Sequence, residues 1–314
     1  MSKTAFLFPG QGSQSVGMGR DLATAFPLAR QTFEEANDAL GFDLADLCFN
    51  GPEEQLRLTE FTQPAIFTVS VAALRVLDAA GTTADYLAGH SLGEYSANVA
   101  AGAIEFAQAV RTVRRRGQLM QQAVPAGEGA MAAILGMQAQ AVAAVCQDAS
   151  QQVGAPVEPA NLNAPEQTVI SGATVAVERV VELARERGAK RAVMLQVSAP
   201  FHCSLMQPAQ DALAPVLAGI AFSSAKIPVV VNVDARLVTE AAELRDALVR
   251  QVTGAVRWTE SMQLLIAQGV TTFVEVGPGK VLSGLLRQID RSQKCAQVDD
   301  PAGVEKLATV LSGS

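Results

Sequence analysis

Residues 89–94 read GHSLGE, and Gly89-His90-Ser91-Leu92-Gly93 fits the G-x-S-x-G nucleophile elbow. In that motif a tight strand-to-helix turn pushes the serine Oγ clear of a sheet. The backbone N–H of the next residue, here Leu92, then faces a developing oxyanion. A serine hydroxyl is a weak nucleophile at neutral pH and needs a base within hydrogen-bond reach. The chain holds 2 histidines. His90 adjoins Ser91, and neighbouring side chains on a sharp turn point apart, so its expected part is to support the elbow. His202, in SAPFHC, is the expected base. Asp211, Asp234 and Glu275 are all open by chain order as the group that holds His202, and a backbone carbonyl would serve equally.

Two further stretches carry chemistry. PGQGSQ (9–14) follows an apolar run, but a G-x-G-x-x-G dinucleotide loop needs a glycine at position 15, where Ser15 stands. The loop is better suited to give a second oxyanion N–H beside the elbow. In RTVRRRGQLM (111–120), Phe106, Val110, Val113, Gly117 and Met120 trace one helical face. Arg111, Arg114 and Arg115 fall off that stripe and read as a solvated surface. Arg116 falls at its edge, beside a glycine that leaves room. A cation there must find an anion. Either an internal carboxylate or a substrate carboxylate held by the two-pronged guanidinium would do.

The elements that position these residues follow from periodicity. TAFLF (4–8) reads as a buried strand, 13–40 as helical, and 63–81 as an apolar helix stopped by Gly81. DYLAGHS is strand into turn and GEYSANVAAGA the helix beyond it. From 127 to 196 the order is strand (129–135), helix (138–151), strands (157–163 and 167–172), helix (174–188) and strand (190–197). That βαββαβ order is a ferredoxin-like unit. Helix 205–219, strand 227–233, helices near 241–252 and 258–268, and strand 271–277 complete the pattern. Near-continuous apolar strands separated by helices predict a parallel sheet covered on both faces. The expected fold is therefore α/β: a parallel-sheet, hydrolase-like core (1–126 and 197–314) with an inserted ferredoxin-like subdomain (127–196).

Composition narrows the classes. In 314 residues, 49% are hydrophobic and 18% charged, which marks a globular chain with a sizeable core. A net charge of −7 argues against nucleic acid as a main partner. Cys48, Cys146, Cys203 and Cys295 lack metal-ligand spacing and read as reduced thiols. No run of about 20 apolar residues offers a bilayer span, and the N-terminus has no secretory leader pattern. The expectation is a cytoplasmic monomer without membrane contact.

Taken together and in order, FPGQGSQ, GHSLGEYSA, RRRGQLMQ, NLNAP, SAPFH and EVGPGKVLSGL resemble the malonyl-CoA:acyl-carrier-protein transacylase family of fatty-acid synthesis, from residue 4 to about 290. The resemblance implies a ping-pong reaction in which a serine takes malonyl from coenzyme A and passes it to the phosphopantetheine thiol of acyl carrier protein. It implies Ser91 as nucleophile, His202 as acid/base, and the Gln11 and Leu92 N–H groups as the oxyanion hole. Arg116 would bind the malonyl carboxylate, and the Gln251 carbonyl would orient His202. Asn161 and Asn163 match positions that line the cleft, and a bulky Phe201 goes with malonyl over methylmalonyl. No cofactor or metal is implied, because the thioester supplies the activation. Arg114, Arg115, Lys190 and Arg191 are candidate contacts for an acidic carrier protein. The alternatives are a serine esterase or thioesterase with the same elbow, a non-catalytic docking subunit, and the malonyl transferase of a malonate-degrading system.

Overall fold

A computed structural model of the chain describes residues 3–197 and 199–312; Ser198 of SAPFH lies outside the described residues. Its strands are β1 (Lys3–Phe8), β2 (Tyr86–Gly89), β3 (Gly129–Leu135), β4 (Val157–Ala164), β5 (Gln167–Ala173), β6 (Arg191–Met194), β7 (Val229–Val231), β8 (Arg236–Val238), β9 (Val270–Val276) and β10 (Lys294–Val298). They form two sheets, ordered β10-β9-β1-β2-β7-β8 and β4-β5-β3-β6. Every pairing in the first is parallel except the β7–β8 hairpin. The second is antiparallel throughout, in the strand order of a ferredoxin-like unit.

Both faces of the parallel sheet are buried, as its apolar runs require. Along β1, Phe6 and Phe8 face one core while Ala5 and Leu7 face another, the period-2 alternation of a strand. The first core is organised by helix Thr59–Ala79, which buries residues on every side. A helix that is apolar all round must be enclosed. It packs between helix Pro27–Leu40 and helix Phe106–Gln122. Helix Trp258–Ala267 covers the other face, with Trp258 and Met262 in its core.

The small sheet also divides its residues by face. Ala132 and Ile134 of β3 pack with helices Ala139–Val153 and Thr174–Glu186. Met131, with Ala160 of β4 and Val169 of β5, joins the large core instead. The backbone also ties β4 to the segment that leads into helix Trp258–Ala267. Leu162 N–H donates to the Val256 carbonyl (2.9 Å) and Val256 N–H to the Ala160 carbonyl (2.8 Å).

Several features depart from the sequence expectations. Helix Thr59–Ala79 starts before residue 63, the stretch 13–19 is loop and turn and not helix, and helices Leu44–Asn50, Glu53–Leu56 and Val281–Ile289 are unassigned from sequence. The strand expected over 227–233 spans only Val229–Val231, because the chain turns at Asn232 and returns as antiparallel β8. Three residues are too few to show a period, so β8 left no sequence signal. β10 and helix Pro301–Ser312 were likewise unassigned, and β10 extends the parallel sheet beyond β9.

Candidate active site

β1 and β2 are adjacent and parallel, with Phe8 in register with Gly89, so the loops after them leave the same edge of the sheet. That carboxyl edge is where open α/β sheets build their sites. The two loops touch backbone to backbone. A Cβ on Gly93 would sit 2.0 Å from the Phe8 carbonyl oxygen, and one on Gly10 would sit 2.4 Å from that of His90. No residue with a side chain fits at either position. Helix Gly93–Ala100 begins directly after the turn. Neither the Gln11 nor the Leu92 N–H donates to another protein group among the described residues, and both residues line the cleft.

Ser91 adopts φ 51°, the left-handed turn of an elbow. Asn232, at the end of β7, braces that turn from the far side. Its Oδ1 accepts from Ser91 N–H (2.7 Å) and its Nδ2 donates to the Gly89 carbonyl (2.7 Å). The hydroxyl of Ser91 lies 2.7 Å from His202 Nε2. His202, itself at φ 61°, presents Nδ1 to the carbonyls of Gln251 (2.9 Å) and Gly254 (3.1 Å). Carbonyls only accept, so the proton resides on Nδ1 and the Nε2 lone pair faces the serine. Burial, then the charge of Arg116, push His202 down to about 3, so the imidazole is neutral near pH 7.

Among the described residues no carboxylate holds His202. Asp234 pairs with Arg250, Glu275 accepts from the Leu282 and Ser283 N–H groups, and Asp211 accepts from Gln207. The two backbone carbonyls do that work.

Arg116 is 1% exposed. Its Nη1 donates to Gln63 Oε1 (2.8 Å), and its Nη2 to Gln251 Oε1 (2.9 Å) and Ser91 Oγ (3.1 Å). Its Nε has no partner, and no carboxylate lies within ion-pair distance of it among the described residues. Gly117 makes this reach possible. A Cβ there would stand 2.7 Å from the Thr59 carbonyl oxygen, so its absence lets helix 106–122 close on the start of helix 59–79, which carries Gln63.

A cleft of about 490 Å³ opens over Ser91 between the two sheets. Gln11, Leu92, Arg116 and Phe201 line it from the large core, and Asn161 and Asn163 from β4. His90 turns away from Ser91 and meets Asn163 Oδ1 at 2.8 Å. Of the four cations expected near an acidic partner, none lines the cleft. Arg114 is half-buried over the Phe42 ring and donates to the Leu40 carbonyl, and Lys190 pairs with Glu166. Arg57 is the exposed cation that does line it.

A model of the acyl transferase domain matches residues 5–306. The chain belongs to the acyl transferase family. Among curated members, the malonyl CoA-acyl carrier protein transacylase of Bacillus subtilis (strain 168) is 52% identical over 311 residues, covering 99% of this chain and 98% of that protein. The Escherichia coli (strain K12) protein of the same name is 50% identical over 305 residues, with 97% and 98% covered. The solved transacylase of Coxiella burnetii superposes with a TM-score of 0.96 at 44% identity, covering 98% of this chain and 97% of that one. A malonyl-transacylase solved with a type II PKS acyl-carrier protein superposes at 0.95 with 49% identity, all of both chains covered.

As an acyltransferase site the arrangement holds four groups that sequence reasoning missed: Gln63, Glu94, Asn232 and the Gly254 carbonyl. Gln63 left a faint signal, a polar residue opening an otherwise apolar helix. Asn232 left another, at the end of an apolar strand. The Gly254 carbonyl left none, since a backbone contact is a matter of chain path alone.

Proposed function

We propose that this acyltransferase moves malonyl from malonyl-CoA to the phosphopantetheine thiol of acyl carrier protein. The observation that carries the reading is Ser91 Oγ standing between a neutral imidazole, His202 Nε2, and a buried guanidinium, Arg116 Nη2. Ser91 Oγ attacks the thioester carbonyl as its proton passes to His202 Nε2. The oxyanion is taken up by the free N–H groups of Gln11 and Leu92. Collapse expels the coenzyme thiolate, which leaves with the proton from His202. The carrier thiol then gives its proton to His202, attacks the malonyl-serine ester, and Ser91 recovers the proton as the product forms.

Malonyl differs from acetyl by one carboxylate, and Arg116 is a buried fork in direct ion-pair contact with no carboxylate among the described residues. That feature disfavours the esterase reading, since a simple ester gives such a cation nothing to bind. The names of the relatives, and the carrier-protein complex of one of them, support the same substrate and acceptor. Asn161 and Asn163 are assigned to the coenzyme or substrate cleft, and Phe201 to the exclusion of a branched acyl group. His90 supports the Asn163 side of the cleft. Residues 127–196 are taken as a subdomain that walls the cleft, and the working form as a cytoplasmic monomer needing no cofactor.

Labelled malonyl-CoA should leave a stable acyl group on the wild-type protein and none on Ser91→Ala. In the same assay Arg116→Ala should lose malonyl transfer by about 10²-fold, the scale of one buried charge-assisted contact, with acetyl transfer spared. Free malonate released as fast without carrier protein as malonyl-carrier forms with it would instead identify a hydrolase.

A further inference from the structure

Glu94 is fully buried, ends the GHSLGE stretch, and takes no part in the steps above. Its Oε2 accepts from Asn232 N–H (2.8 Å) and Gln251 Nε2 (2.9 Å), and its Oε1 has no partner. The same Gln251 side chain accepts from Arg116 Nη2 at its Oε1. A carboxylate and a guanidinium thus sit on opposite ends of one amide. Direct pairing would occupy the guanidinium and close it to substrate, whereas no counter-charge at all would leave a buried cation uncompensated.

We propose that Glu94 is the counter-charge of Arg116, insulated from it by the Gln251 amide, and that it weakens the arginine's grip on the acyl carboxylate so that the malonyl product can leave. Glu94 touches no substrate; it is a positioning residue acting through Gln251, and its role rests on the malonyl reading above. The carboxylate of the substrate enters a field already shared by one negative charge. With that charge removed, both the Michaelis complex and the bound product should be held more tightly. Uniform tightening lowers KM and slows release together.

The groups facing Glu94 are consistent with a charge that is present but close to titrating. Burial raises it to about 7, while the Asn232 and Gln251 N–H groups and Arg116 favour the ionised form and Asp234 opposes it. Tyr95, also buried beside it, is held protonated by desolvation. Glu94 therefore gains its proton as pH falls from 8 to 6.

Glu94→Gln keeps an acceptor oxygen for both N–H donors and removes the charge, with an amide NH2 in place of Oε1. At pH 8 it should lower KM and kcat for malonyl-CoA by about fivefold each, and change the acetyl-CoA values by much less. A raised or unchanged malonyl KM, or equal changes with both donors, would overturn the proposal. The wild type supplies a second measurement that needs no variant. Its malonyl KM relative to its acetyl KM should fall between pH 8 and pH 6, and a flat ratio counts against Glu94. If the wild type transfers no malonyl at all, the malonyl reading itself fails. If it transfers malonyl but Glu94→Gln leaves KM unmoved, only the counter-charge fails.

Discussion

Ser91 and His202 both occupy left-handed backbone, a conformation that costs about 1–3 kcal/mol for a residue with a side chain. Each is pinned by partners that cannot move independently: Asn232 clamps the elbow at two points, and two carbonyls fix the imidazole. The strain sets Ser91 Oγ and His202 Nε2 2.7 Å apart before substrate arrives. Burial that lowers His202 to about 3 has a consequence for the pH profile. A folded value below the unfolded one means the imidazole stays neutral, and hence competent, as pH falls through 6.5. Acylation of Ser91 by acetyl-CoA, which does not engage Arg116, should therefore change less than about twofold between pH 7.5 and 5.5. A normal histidine would give about a tenfold fall at pH 5.5. A stopped-flow or quench measurement of the acyl-enzyme across that range decides between them.

Among the elements, helix Phe106–Gln122 has the most exacting placement. Its stripe buries against helix 59–79, and Gly117 is what permits close approach at the point where Arg116 reaches Gln63 and Ser91. Gly117→Ala would press a methyl on a backbone oxygen rather than on a yielding side chain. Overpacking of this kind costs about 1–3 kcal/mol. It should also push Arg116 off its fork, so malonyl kcat/KM should drop by at least about tenfold while acetyl transfer falls much less. Comparing the two donors, with thermal denaturation alongside, separates a misplaced arginine from a merely loosened fold. Spacing alone leaves Arg116 between an internal carboxylate and a ligand. The helical stripe put it beside a glycine, but only helix packing shows two glutamines and a serine as its partners.

For the molecule as a whole, the small sheet keeps one core of its own and shares the other with the large sheet. Met131, Ala160 and Val169 turn one face of the small sheet into the large core, and β4 is hydrogen-bonded to Val256. The chain's 1 tryptophan, Trp258, sits at that junction, fully buried and against the His90 ring. Its fluorescence thus reports on the seam, whereas far-UV circular dichroism reports on all the helices. The two signals should trace one superimposable urea transition. A fluorescence change preceding the loss of helix would mean that the small sheet detaches first. The seam also bears on the site, because the segment that bonds β4 is the one whose Gly254 carbonyl holds His202.

The sequence alone determined the periodic and the local. Apolar runs specified the strands of both sheets apart from β8 and β10, the βαββαβ order specified the small unit, and GHSLG specified an elbow, because those features depend on neighbours a few residues away. It also narrowed the base to His202, since the histidines are so few. Tertiary structure decided what holds each group. Whether His202 leans on a carboxylate or on carbonyls, which face of Arg116 is free, and how Asn232 and Glu94 enter the site depend on contacts spanning roughly 20 to 160 residues. Periodicity carries no information at that range, because a buried polar group is satisfied by whatever the folded chain brings beside it.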